Sequence, residues 1–300
     1  MALVTVIIPL YRMASLLGEA IESVLVQTHR DFEIVAVDDE SPDHSGEVAK
    51  SYPEVRYIWQ ANQGVCAARN RGIRESKGEY LVFLDSDDRL LPHYMERNLQ
   101  GFTEHPDAAF VTGDYRWFGA EGTWHYHRCD PTPDHYATLL RFNFIGPPLP
   151  VMFRRDILER VGGFQVGREC AEDQDLFFRI ARQYPIYCHH DVVAEYRRHP
   201  EQNSANYARM LRQAIRVLSA QWPYVKGNSV YEEAYREGKN FRQRLYGKTL
   251  FWQMATAIRA GQIYDAMKIC GVLLRYNPWA IKEGLESTVQ NAWTRPRAGH

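Results

Sequence analysis

The alternation of strand-like and helix-like segments in the first hundred residues constrains the fold most strongly. Residues 4–10, 32–37, 55–59 and 80–84 are short apolar runs rich in β-branched or aromatic side chains. Between them, helical spacing or helix-start chemistry marks residues 16–27, a short stretch from residue 45, and residues 64–76. Because strands alternating with helices build βαβ units, the pattern predicts an α/β fold: a Rossmann-like, mostly parallel sheet flanked by helices.

Acidic residues follow two of these predicted strands. Asp38-Asp39 closes the second strand, and Asp85-Ser86-Asp87-Asp88 follows the fourth. In open parallel sheets, ligands bind beyond the carboxyl ends of the strands. The two acidic clusters are therefore predicted to share one ligand-binding edge.

Asp85 and Asp87 are candidate metal ligands. Residues two apart in an extended chain point to the same side, so both carboxylates can reach one cation. Oxygen ligands favour Mg²⁺ or Mn²⁺, which usually keep waters and bind substrate phosphates. The alternative interpretation is an acidic turn after a strand, since aspartate is common in turns.

Asp38 and Asp39 have two interpretations of equal weight. One is hydrogen bonding to the base or ribose of a nucleotide; the other is a turn cap before Ser41-Pro42. The small-residue helix start at residues 63–72 carries Arg69 and Arg71, which suit phosphate or ribose beside a helix N-terminus. Tight helix–sheet packing with exposed arginines is the alternative there.

Glu172 and Asp173 open another predicted helix. A carboxylate at this place suits a general base that deprotonates an acceptor hydroxyl. Capping and interaction with the helix dipole explain acidic residues there equally well. His199, after an extended stretch, is either a metal or diphosphate ligand or a structural histidine.

The chain changes character after about residue 204. Up to that point further strands are predicted at 108–118, 123–127, 151–154 and 186–196, with helices at 155–161 and 173–183. Beyond it, apolar residues recur at helical spacing. We therefore expect a catalytic domain over residues 1–204 and a helical region over residues 205–300.

Composition narrows the possible partners and compartments. The net charge of -1 gives no indication of a nucleic-acid partner. The five cysteines are odd in number and widely spaced, so a disulfide framework or zinc site is not expected. The start MALVTVIIPLYR lacks basic residues before its apolar run, and no apolar stretch is long enough to span a membrane. We expect a cytoplasmic protein, or one at the inner membrane face.

Six segments, in order, resemble the inverting family 2 glycosyltransferases with the GT-A fold. They are VTVIIPLYR, AIESVLVQTHRDFEIVAVDDES, NQGVCAARNRGIRESKGEYLVFLDSDD, VMFRRDILERVGGF, AEDQDLFFRIA and YRRHPEQNS. The resemblance covers about residues 3 to 204. It implies transfer of a sugar from a nucleoside-diphosphate sugar, usually UDP-linked, to a hydroxyl of a glycan or lipid-linked acceptor, in polysaccharide or glycoconjugate synthesis.

The resemblance also implies roles for individual residues on the donor side. Pro9 and Tyr11 line the nucleotide pocket, and Asp38 and Asp39 contact the base. Arg69 lies near the nucleotide or its phosphates. Ser86 and Asp88 belong to the donor-binding residues, with Asp88 at the sugar.

On the reacting side, the resemblance implies that Asp85 and Asp87 bind Mn²⁺ or Mg²⁺, with His199 reaching the metal or phosphates. Asp173 matches the catalytic base, and Glu172 supports it. One departure concerns the loop before this pair: many relatives carry a glycine where this chain has Cys170-Ala171.

Two other functions remain open, and so does the role of the helical region. A nucleotidyltransferase also uses a nucleotide and a metal, but usually has a glycine-rich loop where this chain has Pro9-Leu10-Tyr11-Arg12. A binding module without catalysis is the second. In the helical region, basic groups and tryptophans fit either a peripheral membrane or partner contact, or a solvated face over the catalytic domain.

Overall fold

The computed structural model describes residues 4–119, 122–130, 132–168, 170–199, 206–284 and 286, and of residues 123–126 only the backbone. The chain divides into two compact units. One comprises Met1–Leu139 and Asn143–Pro200, and the other Leu140–Phe142 and Glu201–His300. The expected domain boundary after residue 204 lies outside the described residues. In the ranges described, no helix has the length and apolar character needed to cross a bilayer.

The first unit has the strands and helices that the sequence predicts, with some additions. Its elements are β1 (Val4–Leu10), α1 (Leu17–Leu25), β2 (Phe32–Asp39), α2 (Ser45–Lys50), β3 (Val55–Gln60), α3 (Val65–Glu75), β4 (Tyr80–Phe83), β5 (Arg89–Leu90), α4 (Tyr94–Glu104), β6 (Phe110–Gly119), β7 (Gly122–His127), α5 (His135–Arg141), β8 (Val151–Arg154), α6 (Arg155–Val161), α7 (Glu172–Ala181) and β9 (Tyr187–Arg197). The sequence patterns did not predict β5, α4 or α5.

Within the described residues, the strands form one mixed sheet. Its order is β3-β2-β1-β4-β8-β6-β9-β5, and β7 pairs with β6. The β3-β2-β1-β4 half is parallel throughout, as predicted. β8 runs antiparallel to β4 and β6, whereas β9 returns parallel to β6.

Helices cover the sheet because successive residues of its buried strands point to opposite faces. Val6 and Ile8 pack in one core cluster with Leu17 and Ile21 of α1. Ala68 of α3 packs with Val35 and Val37 of β2 in another cluster. The sheet is thus flanked by helices, and the carboxyl ends of β1, β2 and β4 are left at one edge.

The second unit contains α8 (Tyr207–Ser219), α9 (Trp222–Val225), α10 (Ser229–Arg259) and α11 (Ile263–Tyr276). Its core includes Leu211, Leu250, Met254 and Leu273. Ile258 is 52% exposed. Leu250, Met254 and Ala257 form the buried stripe, so Ile258 lies at its edge in the last turn of α10.

Candidate active site

The carboxyl ends of β1, β2 and β4 meet at one edge of the sheet. Leu10 pairs with Asp38, and Ile7 pairs with Phe83. Pro9 lies near the end of the buried strand that leads to this edge, and Tyr11 just beyond it is 42% exposed. The predicted nucleotide residues of the first two strands are therefore adjacent.

Asp38 and Asp39 are both buried and both accept hydrogen bonds from protein donors. Asp38 accepts hydrogen bonds from the Tyr57 hydroxyl (2.6 Å) and the Ser41 backbone N–H (2.8 Å). Burial and then Asp38 raise the pKa of Tyr57, which keeps its hydroxyl a donor. Asp38 thus caps the turn after β2 and ties it to β3.

Asp39 fixes the start of α3. Its carboxylate accepts from the Gln60 side chain (2.7 Å) and from the backbone N–H groups of Gln63 (3.0 Å) and Gly64 (2.7 Å). A carboxylate has about four lone-pair sites, so about one remains for a ligand. Gly64 itself has φ +86°, a conformation that side chains disfavour.

Arg69 is buried between two carboxylates. Its guanidinium is 2% exposed and donates to Asp85 Oδ1 and to Glu172 Oε1, each at 2.7 Å. It also sits 5.1 Å from the centroid of the Phe164 ring. Burial alone would lower the pKa of Arg69, but Asp85 and Glu172 raise it overall. The structure gives this arginine two carboxylate partners, and its place near the nucleotide or its phosphates stays a prediction.

The acidic loop after β4 is compact. The Asp88 N–H donates to the Asp85 carbonyl (3.0 Å). Ser86, which lies between these two residues in the sequence, is buried. Asp88 is 1% exposed; its Oδ1 accepts from the Arg197 N–H (2.8 Å), while its Oδ2 has no hydrogen-bond partner among the described atoms. Burial, then Asp87 and Asp85, raise the pKa of Asp88 well above its usual range.

Asp87 and His199 come together from positions far apart in the chain. His199 Nε2 lies 2.9 Å from Asp87 Oδ2. Two ligand atoms at neighbouring corners of an octahedron with bonds of about 2.0–2.1 Å are also separated by about 2.9 Å. Burial and then Asp85 raise the pKa of Asp87, as expected where carboxylates lie close together.

This donor set fits a divalent cation that also binds substrate. Carboxylate oxygen and imidazole nitrogen suit Mn²⁺, and carboxylates suit Mg²⁺. Across the described part of the chain, no group of three or more His, Cys, Asp or Glu side chains is arranged to hold a metal. The described residues therefore offer Asp87 and His199 as candidate cation ligands, with Asp85 in the same acidic loop.

Asp173 stands in the first turn of α7, next to Glu172. Its Oδ1 accepts from the Gln174 backbone N–H at 2.7 Å. Burial, and then the charge of Glu172, raise the pKa of Asp173 to about 7, against an opposing effect of Arg69. A carboxyl with such a pKa is suited to accept a proton near neutral pH.

The loop before α7 is strained at the position where the sequence departs from its relatives. Ala171 has φ 58° and ψ 24°, in the left-handed region. That conformation is favourable for glycine but costs a residue with a Cβ. The chain therefore keeps a glycine-like backbone here while carrying alanine.

The structure also reveals functional neighbours that the sequence patterns did not indicate. Arg197 donates to the Asp87 carbonyl (2.7 Å) and to Glu19 Oε2 (2.6 Å), in addition to its contact with Asp88. Asp175 is buried between Arg168 and Arg179, at 2.9 Å from each. The basic pair Arg197-Arg198 at the end of β9 and the third acid of residues 172–175 were the available signals, but neither identifies a partner.

A family model described as glycosyl transferase family 2 matches residues 5–162, more than half of the chain. The chain belongs to this family. The family 2 relatives include glycosyltransferase GlyA of Streptococcus pneumoniae, 37% identical over 41% of this chain and 18% of the relative. An uncharacterized glycosyltransferase of Rickettsia felis is 32% identical over 67% of this chain and 35% of the relative. The chain thus spans about a third or less of these curated relatives.

One relative is matched nearly end to end. An uncharacterized glycosyltransferase of Rickettsia typhi is 25% identical over 97% of this chain and 95% of its own length. It extends the likeness into the helical region that the family model does not cover.

Solved structures share the fold at lower identity. TarS 1-349 of S. aureus in complex with UDP has a TM-score of 0.60, 20% identity, and coverage of 80% of this chain and 71% of that one. The mannosyltransferase PcManGT of Pyrobaculum calidifontis, in complex with GDP-Man and Mn²⁺, has a TM-score of 0.61, 18% identity, and coverage of 98% and 88%. These matches confirm the GT-A-type sheet with a C-terminal helical region.

Proposed function

We propose that this family 2 glycosyltransferase transfers a sugar, with inversion and with a divalent cation, from a nucleoside-diphosphate sugar to an acceptor hydroxyl. One observation carries the proposal. Arg69 binds Asp85 of the acidic loop and Glu172 of α7 at once, so the metal-binding loop and the start of α7 are held at one site. Donor and acceptor chemistry can then meet between Asp87 and Asp173.

The proposal gives the residues three roles: accepting the proton, binding the nucleoside and, as described next, binding the cation and the rest of the donor. Asp173 accepts the proton of the acceptor hydroxyl as the oxygen attacks the anomeric carbon. The Glu172 carboxylate meanwhile stays paired with the Arg69 guanidinium. Pro9, Tyr11, Asp38 and Asp39 bind the nucleoside. One carboxylate base and no protein nucleophile correspond to a single displacement, which inverts the anomeric configuration.

In the proposal Asp87 and His199 hold the cation, and Asp85, which pairs with Arg69 in this structure, is the third predicted ligand. When bound, a divalent cation supplies Lewis-acid stabilisation of charge on the departing diphosphate. Ser86 and Asp88 complete the donor side; the buried Asp88 Oδ2 has no partner among the described atoms and is suited to a sugar hydroxyl. Holding both substrates in one site supplies further acceleration by proximity.

The neighbouring structures support this class of donor. TarS was solved with UDP and with UDP-GlcNAc, and PcManGT with GDP-Man and Mn²⁺. We propose a UDP-sugar first, with a glycan or lipid-linked acceptor in polysaccharide or glycoconjugate synthesis. We further propose that residues 1–204 form the catalytic domain of a cytoplasmic enzyme.

The decisive experiment follows the released product. The full chain is incubated with UDP-glucose, UDP-GlcNAc or GDP-mannose, with Mn²⁺, Mg²⁺ or EDTA, and with a panel of glycan acceptors. We expect release of nucleoside diphosphate that requires the cation, and a product of inverted anomeric configuration by NMR. Pyrophosphate release would instead identify a nucleotidyltransferase, and donor binding without any hydrolysis or transfer would identify a binding module.

A further inference from the structure

The middle and end of α10 carry basic residues and no acidic residues. Between Glu237 and Asp265 the sequence has no aspartate or glutamate, but it has five basic residues: Lys239, Arg242, Arg244, Lys248 and Arg259. More widely, residues 206–286 contain 13 lysines and arginines and 6 acidic residues, whereas residues 1–205 contain 21 and 31. The net charge of the whole chain is therefore close to zero, but that of its helical region is positive.

One side of α10 combines this charge with exposed apolar groups. Phe241, Leu245, Lys248 and Trp252 follow one another at spacings of four, three and four residues, which places them on one side of a helix. Phe241 is 46% and Leu245 51% exposed. We call this the outer strip of α10, defined by Phe241, Arg244, Leu245, Lys248 and Trp252.

A second exposed aromatic ring extends the strip. Phe142, which belongs to the same unit, is 39% exposed, and its ring centroid lies 6.2 Å from that of Phe241. The pair presents two neighbouring aromatic rings at the N-terminal end of the strip. The strip therefore offers a larger apolar surface than α10 alone.

Packing of the unit does not depend on the exposed residues of the strip. The core of the unit is formed by the other side of α10, through Leu250, Met254 and Ala257, and of the strip only the half-buried Trp252 packs against it. Arg242, by contrast, is buried and donates to the Leu140 carbonyl at 2.9 Å, so it belongs to the interior. Arg244 and Lys248 remain exposed beside the apolar side chains.

We propose that the outer strip of α10 docks on the surface of a bilayer that contains anionic lipid. A helix face that offers aromatic and leucine side chains beside lysine and arginine, with its acids confined to the first turns (Glu232, Glu233 and Glu237), matches the interfacial zone of such a bilayer. The apolar groups enter the headgroup boundary, and the basic groups meet the negative surface potential. The proposal concerns association alone and stands whether or not the chain transfers sugar.

Vesicle sedimentation tests the proposal with the full chain. Two vesicle types are compared: phosphatidylcholine alone, and an equal mixture of phosphatidylcholine and phosphatidylglycerol. We expect binding to the mixture that weakens as salt is raised, and little binding to phosphatidylcholine. Equal binding to both vesicle types, or binding to neither, overturns the proposal.

Matched variants locate the contact. Arg244→Glu with Lys248→Glu reverses two charges in the strip, and we expect the affinity for mixed vesicles to fall about tenfold or more. Lys226→Glu with Lys239→Glu makes the same charge change in the same unit, at exposed positions outside the strip. An equal loss in both pairs means that general charge, and not the strip, is responsible.

The apolar half of the strip has its own test. Phe241→Ser with Leu245→Ser keeps every charge, and we expect it to weaken vesicle binding while the far-UV circular dichroism stays unchanged. Light scattering on wild type and on this variant provides the remaining check. A wild-type dimer that this variant converts to monomer would assign the strip to self-association and reject the membrane proposal.

Discussion

At the scale of single residues, Arg69 links the two halves of the candidate site. Its partners lie 16 and 103 residues further along the chain. A guanidinium presents donors in a rigid fork, so one side chain can hold two carboxylates in fixed positions. The arrangement fixes Asp85 and the start of α7 before any substrate is present.

Removing this arginine should destabilise the fold. Arg69→Met leaves Glu172 and Asp85 without the guanidinium that pairs with both. Breaking a buried ion pair in this way costs about 3–5 kcal/mol. We expect a value near the lower end, because Asp85 is about one-third exposed. Arg69→Lys, which keeps a single point charge, should fall between wild type and Arg69→Met in urea unfolding.

The neighbouring arginine provides the control for this measurement. Arg71 lies on the same helix and pairs with Glu75 at 2.8 Å, but that pair is well exposed. Exposed pairs contribute about 0–1 kcal/mol. Equal unfolding midpoints for Arg69→Met and Arg71→Met would show that the buried triad is not a stabilising element.

Asp173 is the residue on which turnover should depend. A positioned general base contributes about 10²–10⁴-fold, so Asp173→Asn should lower kcat by that order. Donor binding, measured by calorimetry, should be retained. Asp107→Asn, in the exposed turn after α4, makes the same chemical change elsewhere, and wild-type turnover by Asp173→Asn would reject the assignment.

The pH dependence of kcat/KM should report the same carboxyl group. Because burial raises the pKa of Asp173 to about 7, the base is mostly protonated below that pH and mostly ionised above it. Activity should therefore rise with pH through about 7, falling about tenfold per unit on the acidic side. A profile that is flat from about pH 5.5 to 8 would contradict the role of Asp173.

Much of the site's composition, but little of its hydrogen bonding, follows from sequence at this scale. Acidic residues after a buried strand already place Asp85 and Asp87 at the sheet edge. The ion pairs of Arg69 and the contact of Asp87 with His199 join residues 16 to 112 positions apart. Local patterns carry no information on such partners, so the two carboxylates that bind Arg69 could not be predicted.

At the scale of elements, strands and helices with strong local patterns match their predictions closely. β1 is uniformly buried and apolar, and α6 ends at Gly162 in a left-handed cap, which its glycine permits. β5 has only two residues and so gives no strong signal. The buried side of α4 does recur at helical spacing, through Tyr94, Met95 and Phe102, and was missed. The antiparallel direction of β8 depends on the path that the chain takes before this strand. The periodicity of the sequence does not encode that path.

The contact of α3 with the sheet depends on a missing side chain. A Cβ at Gly72 would collide with the Ile7 side chain of β1. We expect Gly72→Ala to destabilise the protein by about 1–3 kcal/mol, because the helix must move away from the sheet. Thermal unfolding of the purified variant measures the effect.

A second helical glycine gives the matched comparison. A Cβ added at Gly271 in α11 would meet no described atom within 4 Å. Since alanine has a higher helix propensity, Gly271→Ala should be neutral or stabilising by up to about 1 kcal/mol. Loss of stability in both variants to the same extent would mean that packing against Ile7 is not the cause.

At the scale of the whole molecule, charge and structure divide the chain in similar places. The acidic excess lies in residues 1–205 and the basic excess in residues 206–286, while the structural units separate at residues 200 and 201. The net charge of -1 does not reveal this division. The division assigns the candidate catalytic carboxylates to one unit and the proposed lipid contact to the other.

Ligand binding should appear in the stability of the whole chain, because a ligand that binds only the folded state stabilises it by mass action. At about 100 times its dissociation constant, a ligand contributes about 2.7 kcal/mol. With about 2–4 °C per kcal/mol for a unit of this size, UDP with Mn²⁺ should raise Tm by about 5–10 °C over Mn²⁺ alone. UDP with EDTA should raise it much less, since the diphosphate then lacks the cation between itself and Asp87.

Asp87→Asn decides whether this cation is held where we propose. The substitution keeps the shape of the side chain but removes the charge 2.9 Å from His199, so the UDP-induced rise in Tm with Mn²⁺ should shrink towards the EDTA value. The comparison uses the rise within each variant, so any change in the variant's own Tm cancels. Asp107→Asn should keep the wild-type rise; if Asp87→Asn keeps it as well, the cation is bound by other residues.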